Sequence, residues 1–328
     1  MQSLSLFALG SSHDFGLLVA AHLGVELVPH EDRAFEDGEY KLRSLEGVRG
    51  QDVYVIVSLF AEPGVSSADK LLKLLFFIGA LKDSGAARVT AVTPYLAFSR
   101  KDRRTKPRDP ITTRYVAQLF DAMRTDGVIT IDVHNIAAFE NAFRCETIPL
   151  DAHALFARHF GSILDEAPVA VVSPDLGGEK RAELFRRRLE AMLGRPVGKA
   201  FMDKTRSEGR VTGDIFAGEV TGAVAIILDD LIAGGGTIAR TAAACRTHGA
   251  ARVCAAATHA VFTSKTPGVL GAASLDAIVV TDSVPLNDVA IQALKHQLTI
   301  LPLAELFAEA IRRRHENGSI TDLLAHGP

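Results

Sequence analysis

Two adjacent carboxylates, Asp229 and Asp230, stand at the end of an apolar run, and Gly234, Gly235, Gly236 and Thr237 follow in the stretch ILDDLIAGGGTIART (227–241). Bare backbone between a strand end and a helix start lets N–H groups approach a ligand, and the helix N-terminus adds partial positive charge, so the loop suits a phosphate. Thr237 can cap the helix or bond that phosphate. Like charges keep the two aspartates off the same group; they suit hydroxyls or a metal ion beside it. A phosphate at one end and hydroxyls in the middle describe a sugar phosphate. The glycines alone read equally well as a tight turn, and the aspartate pair tips the balance. No G-x-x-x-x-G-K-[ST] loop occurs, so any handling of ATP needs another device.

Four further segments carry usable chemistry. RKDRRTKPRD (100–109) sets six cations and two carboxylates, among them Arg100, Lys101 and Asp102, after a strand. Guanidinium forks there suit phosphate oxygens, although a solvated charged loop is an equal reading. Asp132 and His134 lie just past the apolar run GVITI, and Asp175 lies past VAVVS with Gly177 and Gly178 behind it. A carboxylate so placed can reach Mg²⁺, which takes one or two carboxylates plus phosphate oxygens. In DKTRSEGRVTGD (203–214), Lys204 and Arg206 share a face if the chain is extended, as cations of a mobile lid or hairpin would. FEDGEY (35–40) joins Phe35 to Asp37 and Glu39 around a D-G turn, where a purine could stack, although composition favours a plain turn.

The elements that must position these residues are strands alternating with helices. Apolar runs recur at 4–9, 52–58, 88–93, 127–132, 169–173, 223–228, 252–257 and 277–281, with helical patterns at 68–85 and 111–123. This is an α/β pattern, a mostly parallel sheet flanked by helices, whose ligands sit beyond the C-terminal strand ends. GAARVTAVTPYLAF (85–98) and GAARVCAAATHAVF (249–262) agree at seven of fourteen positions, 164 residues apart. The echo points to two similar domains, 1–149 and 150–302, with an amphipathic helix in 303–328 packing back on the first.

The 328 residues suffice for two cores, and the net charge of −3 supplies no basic excess for nucleic acid or an anionic membrane. Cys145, Cys245 and Cys254 show no metal or redox spacing. With no signal-peptide pattern and no 18-residue apolar run, the expected location is the cytoplasm.

Taken together, these pieces resemble the ribose-phosphate pyrophosphokinase family, the phosphoribosyl pyrophosphate synthetases. From about residue 3 to 325 they comprise, in the family's order, DGE with VRGxDV, PYLAFSRKDRRTKPRDPIT, DVH, SPDxGG, a KxR loop and the DD-glycine-threonine loop. The resemblance implies two phosphoribosyltransferase-like domains, the first on the ATP side and the second on the ribose 5-phosphate side. It also implies transfer of the β,γ-pyrophosphate of MgATP to the C1 hydroxyl of ribose 5-phosphate, with release of AMP. Phe35, Asp37 and Glu39 then bind adenine from a neighbouring subunit, and Arg100, Lys101 and Asp102 belong to the ATP site. His134 and Asp175 place Mg²⁺, and His134 joins Lys204 and Arg206 in the catalytic set around the transferring group. Asp229 and Asp230 hold ribose hydroxyls or metal, and Gly234, Gly235, Gly236 and Thr237 hold the 5-phosphate. Such a site requires a homo-oligomer, dimer-based and up to a hexamer. Ala233 and Gly234 stand where the family usually has Asp and Thr, and Lys101 where it usually has Gln. Two rivals share parts of this pattern. A phosphoribosyltransferase needs no ATP motifs, and a non-catalytic regulatory paralogue needs none of His134, Asp175, Lys204 and Arg206.

Overall fold

A computed structural model of the chain describes residues 3–207 and 210–327. It divides into two compact units, Met1–Asp151 with Leu303–Pro328, and Ala152–Pro302.

The first unit runs β1 (Leu4–Ala8), α1 (His13–Leu23), the hairpin β2 (His30–Ala34) and β3 (Tyr40–Ser44), β4 (Asp52–Ile56), α2 (Ser67–Asp83), β5 (Arg88–Thr93), α3 (Thr112–Ala122), β6 (Gly127–Ile131), α4 (Ile136–Ala142) and β7 (Glu146–Leu150). Its sheet is parallel throughout, in the order β1-β4-β5-β6-β7. Strands buried on both faces read as unbroken apolar runs, and β4, β6 and the Val-rich β5 are of that kind. Phe7, Phe77, Phe120 and Phe139 fill the core. Helix α2 begins at a reciprocal cap: Ser66 Oγ accepts from Asp69 N at 3.1 Å, and Asp69 Oδ2 accepts from Ser66 N at 2.8 Å.

The second unit runs α5 (His153–Ile163), β8 (Val169–Ser173), a 3-10 turn (Leu176–Gly178), α6 (Glu179–Leu193), β9 (Gly198–Ser207), β10 (Arg210–Gly218), β11 (Val224–Ile232), α7 (Gly236–Thr247), β12 (Arg252–Ala260), α8 (Thr266–Gly271), β13 (Ala277–Thr281), α9 (Asp288–Leu294) and β14 (Leu298–Leu301). Its sheet has the order β10-β9-β8-β11-β12-β13-β14, parallel except that β10 returns antiparallel to β9. Ala225, Ile227, Ala255 and Ile278 lie in its core. Helices α10 (Ala304–Glu316) and α11 (Ile320–His326) close the first unit, where α10 packs on α1.

The echo between 85–98 and 249–262 is a repeat of hydrogen bonds as well as letters. β5 is the third of five parallel strands, and β12, among six, likewise has at least two parallel strands on either side. Gly85 and Gly249 precede them with φ of 88° and 82°, and accept from Gly50 N and Gly222 N, both at 2.8 Å. Lys82 Nζ donates to Asp126 Oδ2 at 2.8 Å, and that oxygen accepts from Val89 N at 2.6 Å. Arg246 Nη2 does the same to Asp276 Oδ2 at 2.6 Å, which accepts from Val253 N at 2.6 Å.

Two local expectations change. The run at 223–228 continues as strand to Ile232, because β12 offers partners as far as Ala260. Asp229 and Asp230 therefore lie on the strand rather than after it, although aspartate is a poor strand former. Thr237 does not cap α7. The cap position is Gly235, at φ 78°, and Thr237 lies inside the first turn. A Cβ on Gly235 would sit 3.1 Å from Leu270, so both conformation and space there call for glycine. Among the described residues, no helix is long and apolar enough to cross a membrane.

Candidate functional site

In the second unit the candidate residues gather at the C-terminal ends of β8, β9 and β11, where parallel sheets bind ligands. The first helical bond of α7 runs from Ala239 N to Gly235 O at 2.9 Å, so the N–H groups of Gly236, Thr237 and Ile238 precede the ladder and point out of the helix start. The loop before them is fixed at Ala233, whose carbonyl accepts from Thr266 Oγ1 and from Thr263 N. Backbone so exposed at the start of a 12-residue helix can receive an anion.

Asp229 and Asp230 stand directly before that loop. Asp230 N donates to Asp229 Oδ1 at 2.9 Å, and Asp230 is buried. Burial, and then the neighbouring charge of Asp230, hold the Asp229 carboxyl well above its usual range, with Arg181 opposing the shift. Arg181 is the residue that motif reading missed. It lies on α6, and its Nη1 reaches Asp230 Oδ1 at 3.4 Å and Asp229 Oδ1 at 3.8 Å. Its only signal in the sequence was a cation three residues past the paired glycines of SPDLGGEKR.

Asp175 caps the turn that leads into α6. Its Oδ1 accepts from Gly178 N at 3.0 Å, which leaves Oδ2 to reach a cation. Gly178 has no room for a side chain, since a Cβ would lie 2.9 Å from Ser173 Oγ. Ser173, the last residue of β8, pairs with Phe201, so β9 runs on past the end of its neighbour. The backbone of Lys204 and Arg206 lies on that projecting stretch, opposite Asp214 and Val211 of β10. Their side chains lie outside the described ones.

In the first unit, Phe35, Asp37 and Glu39 form the β2–β3 turn. Phe35 N donates to Glu39 O at 2.7 Å, Glu39 N donates to Asp37 Oδ1 at 3.0 Å, and the Arg33 guanidinium lies 5.1 Å from the Phe35 ring centre. Phe35 is 41% exposed, a large apolar ring held out on a hairpin. The hairpin is fastened to α2 by Lys73 Nζ, 2.9 Å from each oxygen of Asp32.

The 100–109 loop organises itself around Asp109. Lys101 Nζ, Thr105 Oγ1, Thr105 N and Lys106 N all donate to Asp109 Oδ2, and the Lys101 ammonium foremost holds that carboxyl well below its usual range. Lys101 is thus engaged within its own loop, while Arg100 is exposed. Asp102 accepts from Asn135 Nδ2 at 2.5 Å, which brings it to the segment carrying the exposed His134. Asp132 lies at the turn out of β6 with φ 42°, a conformation rare for a residue other than glycine.

Among the described residues, no three His, Cys, Asp or Glu side chains converge into a metal cage. Single carboxylates beside an exposed helix start match the donor set of Mg²⁺, which keeps waters and phosphate oxygens as its other ligands. The three cysteines are free, and burial pushes Cys145 and Cys254 up to about 11 and Cys245 to about 12, so none is a ready nucleophile.

Residues 4–123 match the N-terminal domain of ribose phosphate pyrophosphokinase, and residues 205–325 match the phosphoribosyl synthetase-associated domain. A ribose-phosphate pyrophosphokinase of Caldanaerobacter subterraneus subsp. tengcongensis is 35% identical over 322 residues, covering 98% of each chain. One of Haemophilus ducreyi is 36% identical over 335 residues, again covering 98% of each. The crystal structure of a phosphoribosylpyrophosphate synthetase from Mycobacterium smegmatis superposes with a TM-score of 0.87 at 32% identity, covering 97% of this chain and 100% of that one.

Proposed function

The chain belongs to the ribose-phosphate pyrophosphokinase family and is an enzyme, and from that premise we propose that it transfers the β,γ-pyrophosphoryl group of MgATP to the C1 hydroxyl of ribose 5-phosphate. The bond from the sugar O1 to the β-phosphorus forms, the bond from that phosphorus to the α-phosphate oxygen breaks, and AMP leaves. The hydroxyl proton passes to solvent. Catalysis of this kind is positioning and charge neutralisation.

The observation that carries the reading is the carboxylate pair set directly before an anion-ready helix start in the second unit. Gly234, Gly235, Gly236 and Thr237 receive the 5-phosphate, and Asp229 and Asp230 accept from the ribose hydroxyls. ATP belongs to the first unit, with Arg100, Lys101 and Asp102 along its phosphates. Lys204 and Arg206 stabilise the transferring group, and His134 in the first unit and Asp175 in the second each supply a ligand for Mg²⁺. When bound, that ion neutralises phosphate charge and fixes the geometry of the chain of phosphates. Phe35, Asp37 and Glu39 serve the adenine of a neighbouring subunit in a homo-oligomer, a role supported by the outward-held ring of Phe35. The enzyme works in the cytoplasm, in keeping with its three free thiols.

Phosphorus NMR of the purified protein with MgATP and ribose 5-phosphate tests this. AMP and a phosphoribosyl pyrophosphate signal are expected. ADP as product, or no turnover across several magnesium and phosphate levels, overturns the proposal.

A further inference from the structure

Arg181 stands against both members of the Asp229–Asp230 pair. Arg88 forks on a single carboxylate, Asp52, with Nε at 3.0 Å and Nη2 at 2.6 Å. Arg181 instead sets one nitrogen between two carboxylates, at 3.4 and 3.8 Å. Its side chain is 17% exposed, so water screens the charge only in part. The helix that carries it is held firmly. Arg186 bonds Glu183 and Glu190 along α6, and Lys199 of β9 bonds Glu179 at its start. The charge therefore stands against the pair by construction.

Two neighbouring carboxylates at a phosphate loop could take either a divalent cation or a pair of sugar hydroxyls. These ligands differ in charge. A divalent ion on the pair would stand a few ångström from the guanidinium in a poorly screened place, where like charges repel strongly. Neutral hydroxyls meet no such repulsion.

We propose that Arg181 determines the specificity of the Asp229–Asp230 pair: its guanidinium keeps a bare divalent cation off the pair and reserves it for the neutral hydroxyls of the sugar. This rests on the reading that the second unit receives ribose 5-phosphate. Arg181 is a positioning residue here, acting through the two aspartates.

The test is Mn²⁺ binding followed by electron paramagnetic resonance, with neither nucleotide nor sugar present. Arg181→Met is expected to bind one more Mn²⁺ than wild type, with affinity at that added site raised by at least about tenfold. The added site disappears when Asp229→Asn and Asp230→Asn are combined with Arg181→Met, and it does not arise in Arg181→Lys, which keeps the charge. Where Arg181→Met does not fold, Arg181→Gln reads the same quantity. Equal Mn²⁺ binding by wild type and the neutral variant overturns the proposal. So does a gain that survives loss of both aspartates, or one that appears in Arg181→Lys. Turnover measured in parallel stays separate: an inactive wild type sinks the sugar-phosphate reading, whereas the Mn²⁺ titration reports on Arg181 alone.

Discussion

Asn135 binds Asp102 across 33 residues of chain, Nδ2 to Oδ2 at 2.5 Å, while its own Oδ1 accepts from Ala138 N at 3.1 Å and caps α4. One side chain thus starts a helix and anchors the loop proposed to carry the ATP phosphates. The two jobs are separable. Asn135→Asp keeps the cap, since aspartate caps as well as asparagine, but it removes the donor and sets two carboxylates together. Loss of a hydrogen bond to a charged group costs about 1.5–3 kcal/mol of stability, so the thermal midpoint should fall, and the KM for ATP should rise as the loop loses its anchor. Asn135→Ala should show the same rise and, without the cap, lose about a further 1 kcal/mol of stability. Unchanged ATP kinetics in both variants would detach Asp102 from nucleotide binding.

Lys204 and Arg206 are expected to act on the transition state. Their backbone lies where β9 projects beyond β8. Alanine at either position should lower kcat by about 10²–10³ while KM for both substrates stays within a few-fold, by analogy with lost oxyanion donors. The double variant should lose less than the product of the single losses, because both cations serve one charge. Steady-state kinetics that leave kcat of the double variant within about twofold of wild type would falsify the catalytic role.

Asp229 makes stability depend on pH with a definite sign. Its carboxyl titrates well above its ordinary value of 3.8 in the folded protein, chiefly through burial and then Asp230. A group with a raised folded value favours folding while protonated. Its contribution is complete below 3.8 and is lost as pH rises through the folded value. Asparagine cannot ionise. Without ligands, Asp229→Asn should therefore melt higher than wild type at neutral pH, and the gap should close as pH falls toward 3.8. Thermal melts across that interval give the answer, and a gap that widens on acidification contradicts it. The same variant combined with Asp230→Asn should weaken ribose 5-phosphate binding far more than ATP binding in calorimetry.

Asp52 lies at the opposite end of the first sheet from the site, as the first residue of β4. It is fully buried and accepts from Arg88, from Tyr54 Oη at 3.0 Å and from His315 Nδ1 at 2.8 Å, with Arg314 Nη1 at 3.7 Å. This fastens α10 to the first unit. Asp52→Asn removes the carboxylate that Arg88, Arg314 and His315 share, although Arg314 keeps Glu146 at 3.0 Å, and should cost about 3 kcal/mol. A lower urea midpoint with kcat near wild type is expected, and a selective loss of kcat would place the cluster within the catalytic machinery instead.

Much of this architecture was legible because its causes are local. Unbroken apolar runs gave β4, β6 and β8, and the glycines of 234–236 and 177–178 marked the strand-to-helix turns, since bare backbone at a turn is a property of the residues themselves. The duplicated run at 85–98 and 249–262 carried its helix end and strand start in both copies for the same reason. What tertiary structure decided depended on partners distant in sequence. Asp229 and Asp230 became strand because β12 pairs with Asp229 and, beyond the aspartates, with Leu231 and Ile232, an extension that aspartate's own preference opposes. Arg181 reached the pair because β8 is seated beside β11, across 49 residues of chain. Asn135 met Asp102 because β5 and β6 are neighbours whose exits face the same edge. Periodicity and turn chemistry act over a few residues, whereas the order of strands in a sheet is set by burying whole faces at once. The sequence by itself therefore settled which residues could do chemistry, and only the fold settled which charges stand beside them.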